Sequence, residues 1–508
     1  MASTFSGISL AGHSLLNSQH SMYITSTNIN NAGTNGYSVQ TADQTLGTMG
    51  IQNNLVSGGA AATVDVRQSQ TLYFNTQFWD ASSDHSYWAT FEQNMVGVEG
   101  RFHTLDGTGF VPMYDGFEAS LLDLATSPDD IAARTMLVES STTFCDTLNQ
   151  TAENLISEQN LLNEEVQIST DQINELSKQI ASLNTQIRQG KLEKQNVNAL
   201  VDQQDLLIDE LSTLTDIDMN TVMVRIGTDS YESVQISIGG VALVTGDVHS
   251  EIELIAEGNL LDSQPRFLPV WKDTGQPLNI SGGQLKASLD SRDGDGSSNG
   301  VKGIPYYMNA LDDWARDYAK AFNEGYVAED GSLVKGHTDG YGLDGTSGYN
   351  FFTNDHFDTN TFYNQGSTID STYENITALN ISVNPEISQN PSKFAASTSQ
   401  NDPSNSDNLS NLLNMIKSND VFGSSSARES LISITTTLGA SIQFSNTKST
   451  STLSDLQLYT TWRLSETSVS IDEETTKLNA YQQSYNASAK VIQVWNEVIE
   501  ATIGLIGG

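Results

Sequence analysis

Cationic side chains are scarce: 23 Lys and Arg face 62 Asp and Glu in 508 residues, a formal charge of −39. A nucleic-acid binder displaces counterions with a basic stripe; none is present, so nucleic acid is excluded as a partner. The first Lys or Arg is Arg67. A secretory signal peptide opens on basic residues and a continuous apolar core, so none is expected here. Apolar runs stay below the eighteen residues that a membrane-spanning helix requires, and no membrane insertion is expected. Cysteine is reduced to Cys145, which cannot form an intrachain disulfide and, inside a helical stretch, reads as a small core residue. Catalytic signatures are missing as well: there is no Gly-x-Ser-x-Gly, His-Glu-x-x-His or phosphate-binding Gly-Lys-Ser/Thr. His13 and His20 share a helical face without a third ligand, too few for zinc. Ser291–Gly296 resembles a calcium loop only loosely, with Ser at the first acidic position and Lys302 where a closing Glu belongs. No enzyme, cofactor or metal site is expected.

What the chain does have is matched patterning at its two ends. Ile8, Leu15, Met22 and Ile29 recur every seven residues near the start, accompanied by Ala11, Ser18, Thr25 and Ala32. Ile471, Leu478, Tyr485, Ile492, Ile499 and Ile506 do the same near the finish. A helix with one large apolar residue per two turns has a narrow seam that cannot be buried alone. Two such helices at opposite ends can bury each other, and neighbouring copies can bury what remains. These ten residues are the expected assembly interface of a polymer subunit.

Between the ends, a helix is predicted from about 68 to 105. Ser127-Pro-Asp-Asp130 predicts a helix start with Ser as N-cap, and the helix runs to Gly190. Within it Val166, Ile173, Ile180 and Ile187 hold one heptad position, and Leu162, Leu176 and Leu183 the other. Val197, Leu200, Leu207, Leu211 and Leu214 resume the pattern, which predicts an antiparallel helical hairpin. Residues 221–245 switch to period two around a Gly239-Gly240 turn. Helix returns at 310–326, 408–417 and 427–464. Residues 327–407, rich in Gly, Asn, Asp and Ser, read as a small β-rich domain because Phe351, Phe352, Phe357 and Phe362 need burial. The expected class is α+β: terminal helices paired as a coiled-coil inner domain (1–55 and 465–508), a long helical-bundle middle with β-hairpins (56–325 and 408–464), and a variable β-rich outer insertion (327–407).

Several segments resemble the axial proteins of the bacterial flagellum. Asn28-Ile-Asn-Asn31-Ala32-Gly-Thr-Asn-Gly36-Tyr37 is similar to the N-terminal signature of rod, hook and hook-associated proteins. Val469-Ser-Ile-Asp472-Glu473-Glu474, with Tyr481–Tyr485 and Ala487–Ile492, is similar to their C-terminal signature. Asp171–Asn184, Val201–Leu211, Gly283–Leu289 and Ala319–Asn323 resemble the helical domain of the hook-associated protein 1 family. The turn at Asn31–Asn35 lacks the proline that many rod and hook relatives carry there.

The resemblance implies a structural role without chemistry. It implies export through the flagellar type III apparatus, a cytosolic export chaperone on residues 465–508, and assembly as a homo-oligomeric ring. That ring would contact the hook protein and the second hook–filament junction protein, outside the cell. It also implies that Asn28, Asn31, Ala32, Gly36, Tyr37, Asp472, Glu473 and Glu474 belong to the family's signature. The three acids otherwise read as exposed first-turn charges that favour the helix dipole. Two alternatives stay open: another axial component (hook, second junction protein or filament), and a secreted amphipathic protein acting on membranes. The second fits poorly, because interfacial helices oppose Lys and Arg to their apolar face and these ends oppose Ser, Asn and Thr.

Overall fold

A computed structural model describes residues 4–46, 50–52, 55–57, 61–68, 72–102, 109–226, 229–297 and 300–506. The class is α+β, with long helices and small antiparallel sheets. Helix α1 (Thr4–Asn31) leads into an antiparallel ribbon, β1 (Gln40–Leu46) with β2 (Ala61–Gln68). Helices α2 (Leu72–Arg101), α3 (Phe110–Thr126), α4 (Ile131–Leu192) and α5 (Asn198–Leu214) follow. Next come β3 (Asp218–Ile226), β4 (Asp229–Ile238), β5 (Val241–Thr245) and β6 (Val248–His249), one antiparallel sheet in chain order. The chain continues through the pair β7 (Ile252–Asn259) and β8 (Pro265–Trp271), then α6 (Gly283–Asp293) and α7 (Ile304–Glu324). A strand pair, β9 (Phe352–Asn354) with β10 (Ile381–Val383), precedes α8 (Asp407–Lys417), α9 (Ala427–Thr467) and α10 (Ile471–Ile506).

The spine is α4, whose 62 residues span about 93 Å at 1.5 Å per residue. Its heptad positions do what their spacing demands: Val166, Ile173 and Ile180 are fully buried, and Leu162, Leu176 and Leu183 nearly so. Val166, Ile173, Leu176 and Ile180 share one cluster with Ile208 and Leu211 of α5 and, beneath the sheet, Ile236 and Val244. Gly239 and Gly240 join β4 to β5 with φ of +55° and +81°, the two left-handed residues that a tight hairpin turn requires.

Both ends of α4 differ from the sequence expectation, for physical reasons. Asp130, not Ser127, is the N-cap, accepting the Ala132 N–H at 2.8 Å. The carbonyl of Pro128 is occupied instead by two N–H groups of the buried Arg134, at 2.9 and 2.7 Å. That guanidinium also donates to the Phe394 carbonyl at 2.6 Å, so the helix start is tied to the far segment. At the other end Gly190 is still helical, and a Cβ there would lie 2.4 Å from the Val197 side chain. The glycine permits the close return of the chain; the turn itself is made at Lys194, with φ of +57°.

Residues 327–407 do not form a core of their own. Phe351 and Phe352 pack on Phe322 of α7, at 5.4 and 5.2 Å between ring centroids, and Phe352 reaches Phe117 of α3. Phe362 is fully buried and Phe357 half-buried in the same continuous cluster. The buried Asn323 side chain fixes the join, donating to the Phe352 carbonyl and accepting from the N–H groups of Phe351 and Phe352. The segment is thus continuous with the helical core, built from short strand pairs and single-turn helices, with the β9–β10 pair itself buried.

His337 lies wholly inside this region, with one ring nitrogen 2.8 Å from the Tyr349 carbonyl and the other accepting the Ala395 N–H at 2.9 Å. This arrangement fits only the neutral ring with its proton on Nδ1. Burial pushes its pKa down from 6.5 to about 4. The unfolded chain binds the proton first, so the contribution to stability is complete above about pH 6.5 and is lost as pH falls towards 4. The shift corresponds to about 3 kcal/mol. Selectively labelled imidazole resonances should leave His337 unprotonated from pH 7.5 to 5.5; a midpoint near 6.5 would contradict this geometry.

Candidate assembly site at the paired chain ends

Helix α1 contains no Asp, Glu, Lys or Arg. Its buried face is lined by small residues at alternating steps of four and three: Ala11, Ser18, Ser21, Thr25 and Asn28, with half-buried Gly7 and Ser14 completing the row. Small side chains allow two backbones to approach closely, and α10 lies antiparallel along this row. A Cβ on Gly7 would come within 2.5 Å of the Trp495 indole. The hydroxyls of Ser14 and Ser488 are 3.2 Å apart, and those of Ser18 and Ser484 3.0 Å. Asn28 then meets Glu474 at 2.8 Å. Every advance along α1 from one contact to the next is matched by an equal retreat along α10, so one register holds over the whole pair.

The ten expected interface residues divide accordingly. Leu478, Tyr485, Ile492 and Ile499 are half-buried on the face of α10 that carries these contacts. Ile8, Leu15, Met22 and Ile29 lie one step aside from the small-residue row and flank it, also half-buried. Ile471 points to solvent at the start of α10, and the side chain of Ile506 lies outside the described residues. The exposed apolar surface of the pair falls elsewhere, on Leu10, Leu16 and Tyr23 of α1 and on Val491, Val494, Val498 and Ile503 of α10.

At the root of the pair sits a closed hydrogen-bond network around Asn28, which has no solvent exposure. Its Nδ2 donates to the Gln40 carbonyl at 2.9 Å and to Glu474 Oε2 at 2.8 Å. Its Oδ1 accepts the Gln40 N–H at 3.1 Å and the Tyr37 hydroxyl at 2.8 Å. All four capacities of a side-chain amide are used. Glu474, 2% exposed, completes its own set with Lys477 Nζ on Oε1 at 2.8 Å. The Tyr37 phenol must stay protonated to donate. Burial, then the carboxylates of Asp202 and Glu474, push its pKa up to about 12.

The loop after α1 anchors this network to the body. Gly36, at φ +78°, passes so close to α5 that a Cβ would lie 2.6 Å from Leu206. The Ser38 N–H donates to Asp202 at 3.2 Å, and the Val39 N–H to the Thr467 carbonyl at the end of α9. Further along α5, Asp209 accepts the Trp79 indole N–H at 2.7 Å and both arms of Arg463, whose guanidinium lies 3.8 Å over Phe78. The terminal pair therefore springs from a hydrogen-bonded junction of α2, α5 and α9.

Of the signature residues, Asn28, Tyr37 and Glu474 meet in the network, and Gly36 shapes its loop. Asn31 closes α1 by donating to the Thr27 carbonyl, and Ala32 follows in the turn. Asp472 and Glu473 stay in solvent as first-turn charges, Glu473 pairing with Lys477. Glu474 departs from the exposed role read for it: it is turned inward and buried. Gln40, Asp202, Leu206 and Lys477 had no sequence signal, since their roles depend on contacts made across the fold. The small-residue row was legible from its spacing but was overshadowed by the larger residues beside it. Among the described residues, no three His, Cys, Asp or Glu side chains could hold a metal, and no helix is long and apolar enough to cross a membrane.

Comparison with known proteins adds to this geometry. Residues 95–352 match the flagellar hook-associated protein FlgK helical domain, and residues 463–505 match the C-terminal region of flagellar basal body rod FlgEFG proteins. Flagellar hook-associated protein 1 of Bacillus subtilis strain 168 is 26% identical across 100% of this chain and 99% of its own length. The Escherichia coli K12 protein of the same name is 29% identical over 40% of this chain and 37% of its own. The solved flagellar hook junction protein FlgK of Burkholderia pseudomallei aligns over 55% of this chain and 46% of its own, with a TM-score of 0.44 and 19% identity.

Removing the amide should uncouple the root of the pair. Asn28→Ala strands the Gln40 backbone and one oxygen of Glu474, at a cost of about 2–4 kcal/mol. Hydrogen exchange at residues 25–31 and 471–478 should then rise at least about 30-fold, with α4 unaffected. Tyr37→Phe, losing one bond, should cost about 1 kcal/mol. Equal exchange in Asn28→Ala and the parent would show that the network does not hold the ends together.

Proposed function

This chain belongs to the flagellar hook-associated protein family, and on that premise we propose that it is the junction subunit assembling as a ring between hook and filament. Membership makes it a structural component of the flagellum. The finer reading is that copies leave the cell through the flagellar type III apparatus, with a cytosolic chaperone covering residues 465–508. Outside the cell they polymerise through their ends, between the hook protein and the second junction protein. No catalytic step is part of this role.

The observation that carries the reading is the charge distribution. In a chain of −39, α1 has no charged side chain, yet it exposes Leu10, Leu16 and Tyr23. Copies of so acidic a protein repel one another at most surfaces. A neutral apolar strip is where like-charged subunits can touch without burying unpaired carboxylates. The apolar surface continues onto α10 through Val491, Val494 and Val498, there flanked by Lys490 and Glu497. A pair with one narrow internal seam is also marginal in isolation, so its full ordering is expected from contact with neighbours.

Deletion of the gene, with electron microscopy of the cells, tests the role. Hooks of normal length without filaments, and filament protein shed into the medium, are expected. Normal filaments on the deletion strain would refute the proposal.

A further inference from the structure

Asparagine followed by glycine occurs twice in the chain, at Asn35-Gly36 and Asn299-Gly300, and Asn299 lies outside the described residues. Asn35 is exposed in the turn that follows α1. Across that turn the Tyr37 N–H donates to the Thr34 carbonyl at 3.2 Å. Gly36 has φ of +78°, and Asn35 stays outside the left-handed region. The turn is therefore of type II, with the Asn35–Gly36 peptide at its centre. That peptide is bonded on neither side: among the described residues the Gly36 N–H finds no acceptor and the Asn35 carbonyl no donor. The Asn35 side chain makes no hydrogen bond with them either.

An asparagine amide in this setting is open to attack by its own chain. The attacking atom is the backbone nitrogen of the next residue. A side chain on that residue crowds the approach, and a hydrogen bond on its N–H holds the nitrogen away; Gly36 has neither. The central peptide of a type II turn can rotate towards the type I orientation with its flanking residues in place, and glycine accepts both conformations. That rotation sweeps the Gly36 nitrogen past the Asn35 side chain and breaks no hydrogen bond. What lies behind the turn decides the consequence. A Cβ on Gly36 would lie 2.6 Å from Leu206. The Tyr37 hydroxyl donates to Asn28 at 2.8 Å, and the Ser38 N–H to Asp202 at 3.2 Å. No Asp, Glu, Lys or Arg precedes Asp43 in the sequence.

We propose that Asn35 is a site of spontaneous modification, converting through a cyclic imide with Gly36 to aspartate and isoaspartate, and that the conversion loosens the root of the terminal pair. The Gly36 nitrogen bonds to Asn35 Cγ, the Cγ–Nδ2 bond breaks, and ammonia leaves with the proton of the Gly36 N–H. Water then opens the imide. Cleavage between Cγ and nitrogen leaves aspartate. Cleavage between the main-chain carbonyl and nitrogen leaves isoaspartate, whose backbone runs through Cβ and Cγ and is longer by one carbon. That carbon enters just before Gly36, where Leu206 leaves no room for an added atom. The loop must shift, and Tyr37 with it. Either product also adds a carboxylate three residues before the N–H that Asp202 accepts. The chemistry belongs to the single chain and does not depend on the junction role.

Full-length protein held at pH 7.5, sampled over days and digested with chymotrypsin, tests the chemistry. Cleavage after Tyr23 and Tyr37 isolates residues 24–37. Fragment spectra should place a gain of about one mass unit at Asn35, from replacement of its amide NH2 by OH, with Asn28, Asn30 and Asn31 unchanged. Electron-transfer fragmentation should show isoaspartate among the products. Conversion should be less than about tenfold slower than in the urea-unfolded chain, because the reacting peptide needs no opening of the fold. A greater slowing, or no gain at Asn35, overturns the proposal. Converted protein, separated by its added charge on anion exchange, tests the consequence. Its hydrogen exchange at residues 25–31 and 471–478 should rise at least about tenfold over fresh protein. Asn35→Gln, whose longer side chain closes the ring far more slowly, should show no rise over the same days. Equal exchange in fresh and converted protein, or an equal rise in Asn35→Gln, would show that the modification does not loosen the pair.

Discussion

A buried side-chain amide must place four hydrogen bonds or lose the cost of desolvating each group left unpaired. Asn28 places all four, and its partners come from parts of the chain far apart in sequence: Tyr37 and Gln40 on the loop behind it, and Glu474 at the start of the last helix. No other side chain does this in the same space. Aspartate would set a second carboxylate against Glu474, glutamine is one methylene too long, and serine reaches one partner at most. The network therefore specifies both which helices pair and where along their length. The small residues of α1 and the larger ones of α10 then continue that register without needing strong contacts of their own.

The same network explains how weakly packed ends can be attached to a stable body. Gly36 against Leu206, Ser38 on Asp202 and Val39 on Thr467 fix the loop to α5 and α9. Below this junction the core is deep: α4 buries a continuous apolar seam, and the aromatic cluster around Trp314, Tyr318 and Phe352 extends it into the 327–407 segment. Above it, the terminal pair has serine and threonine where a self-sufficient coiled coil would have leucine. Stability is concentrated in the body and assembly surface in the ends. That division suits a subunit whose ends find their remaining partners on other molecules.

Legibility in the sequence followed the range of the interaction. Regular heptads such as Val166, Ile173 and Ile180 announced α4, and the Gly239-Gly240 pair announced its hairpin, because both signals are local. Helix termini were read less well: Ser127 and Gly190 have the right chemistry for a start and a stop, but Arg134 and Val197 put them to other uses. The acid cluster at 472–474 shows the limit more sharply. Three adjacent carboxylates look alike in sequence, yet helical rotation turns one of them, Glu474, towards Asn28 and leaves the others in water. Resemblance to flagellar axial proteins drew attention to Asn28, Tyr37 and Glu474, but only the fold shows that they touch. The phenylalanines of 327–407 were legible as residues that need burial, but not that α3 and α7 would supply it.

The central claim is that Asn28 and Glu474 lock α1 and α10 into a single antiparallel register. Cysteines at Ser14 and Ser488, whose hydroxyls are 3.2 Å apart, test it directly, because the native Cys145 is buried and does not interfere. Mild oxidation of Ser14→Cys/Ser488→Cys should close an intramolecular disulfide nearly completely, whereas Ser14→Cys/Ser484→Cys, one helical turn out of step, should not. Equal cross-linking of the two pairs would mean that the helices slide and that the network does not set their alignment.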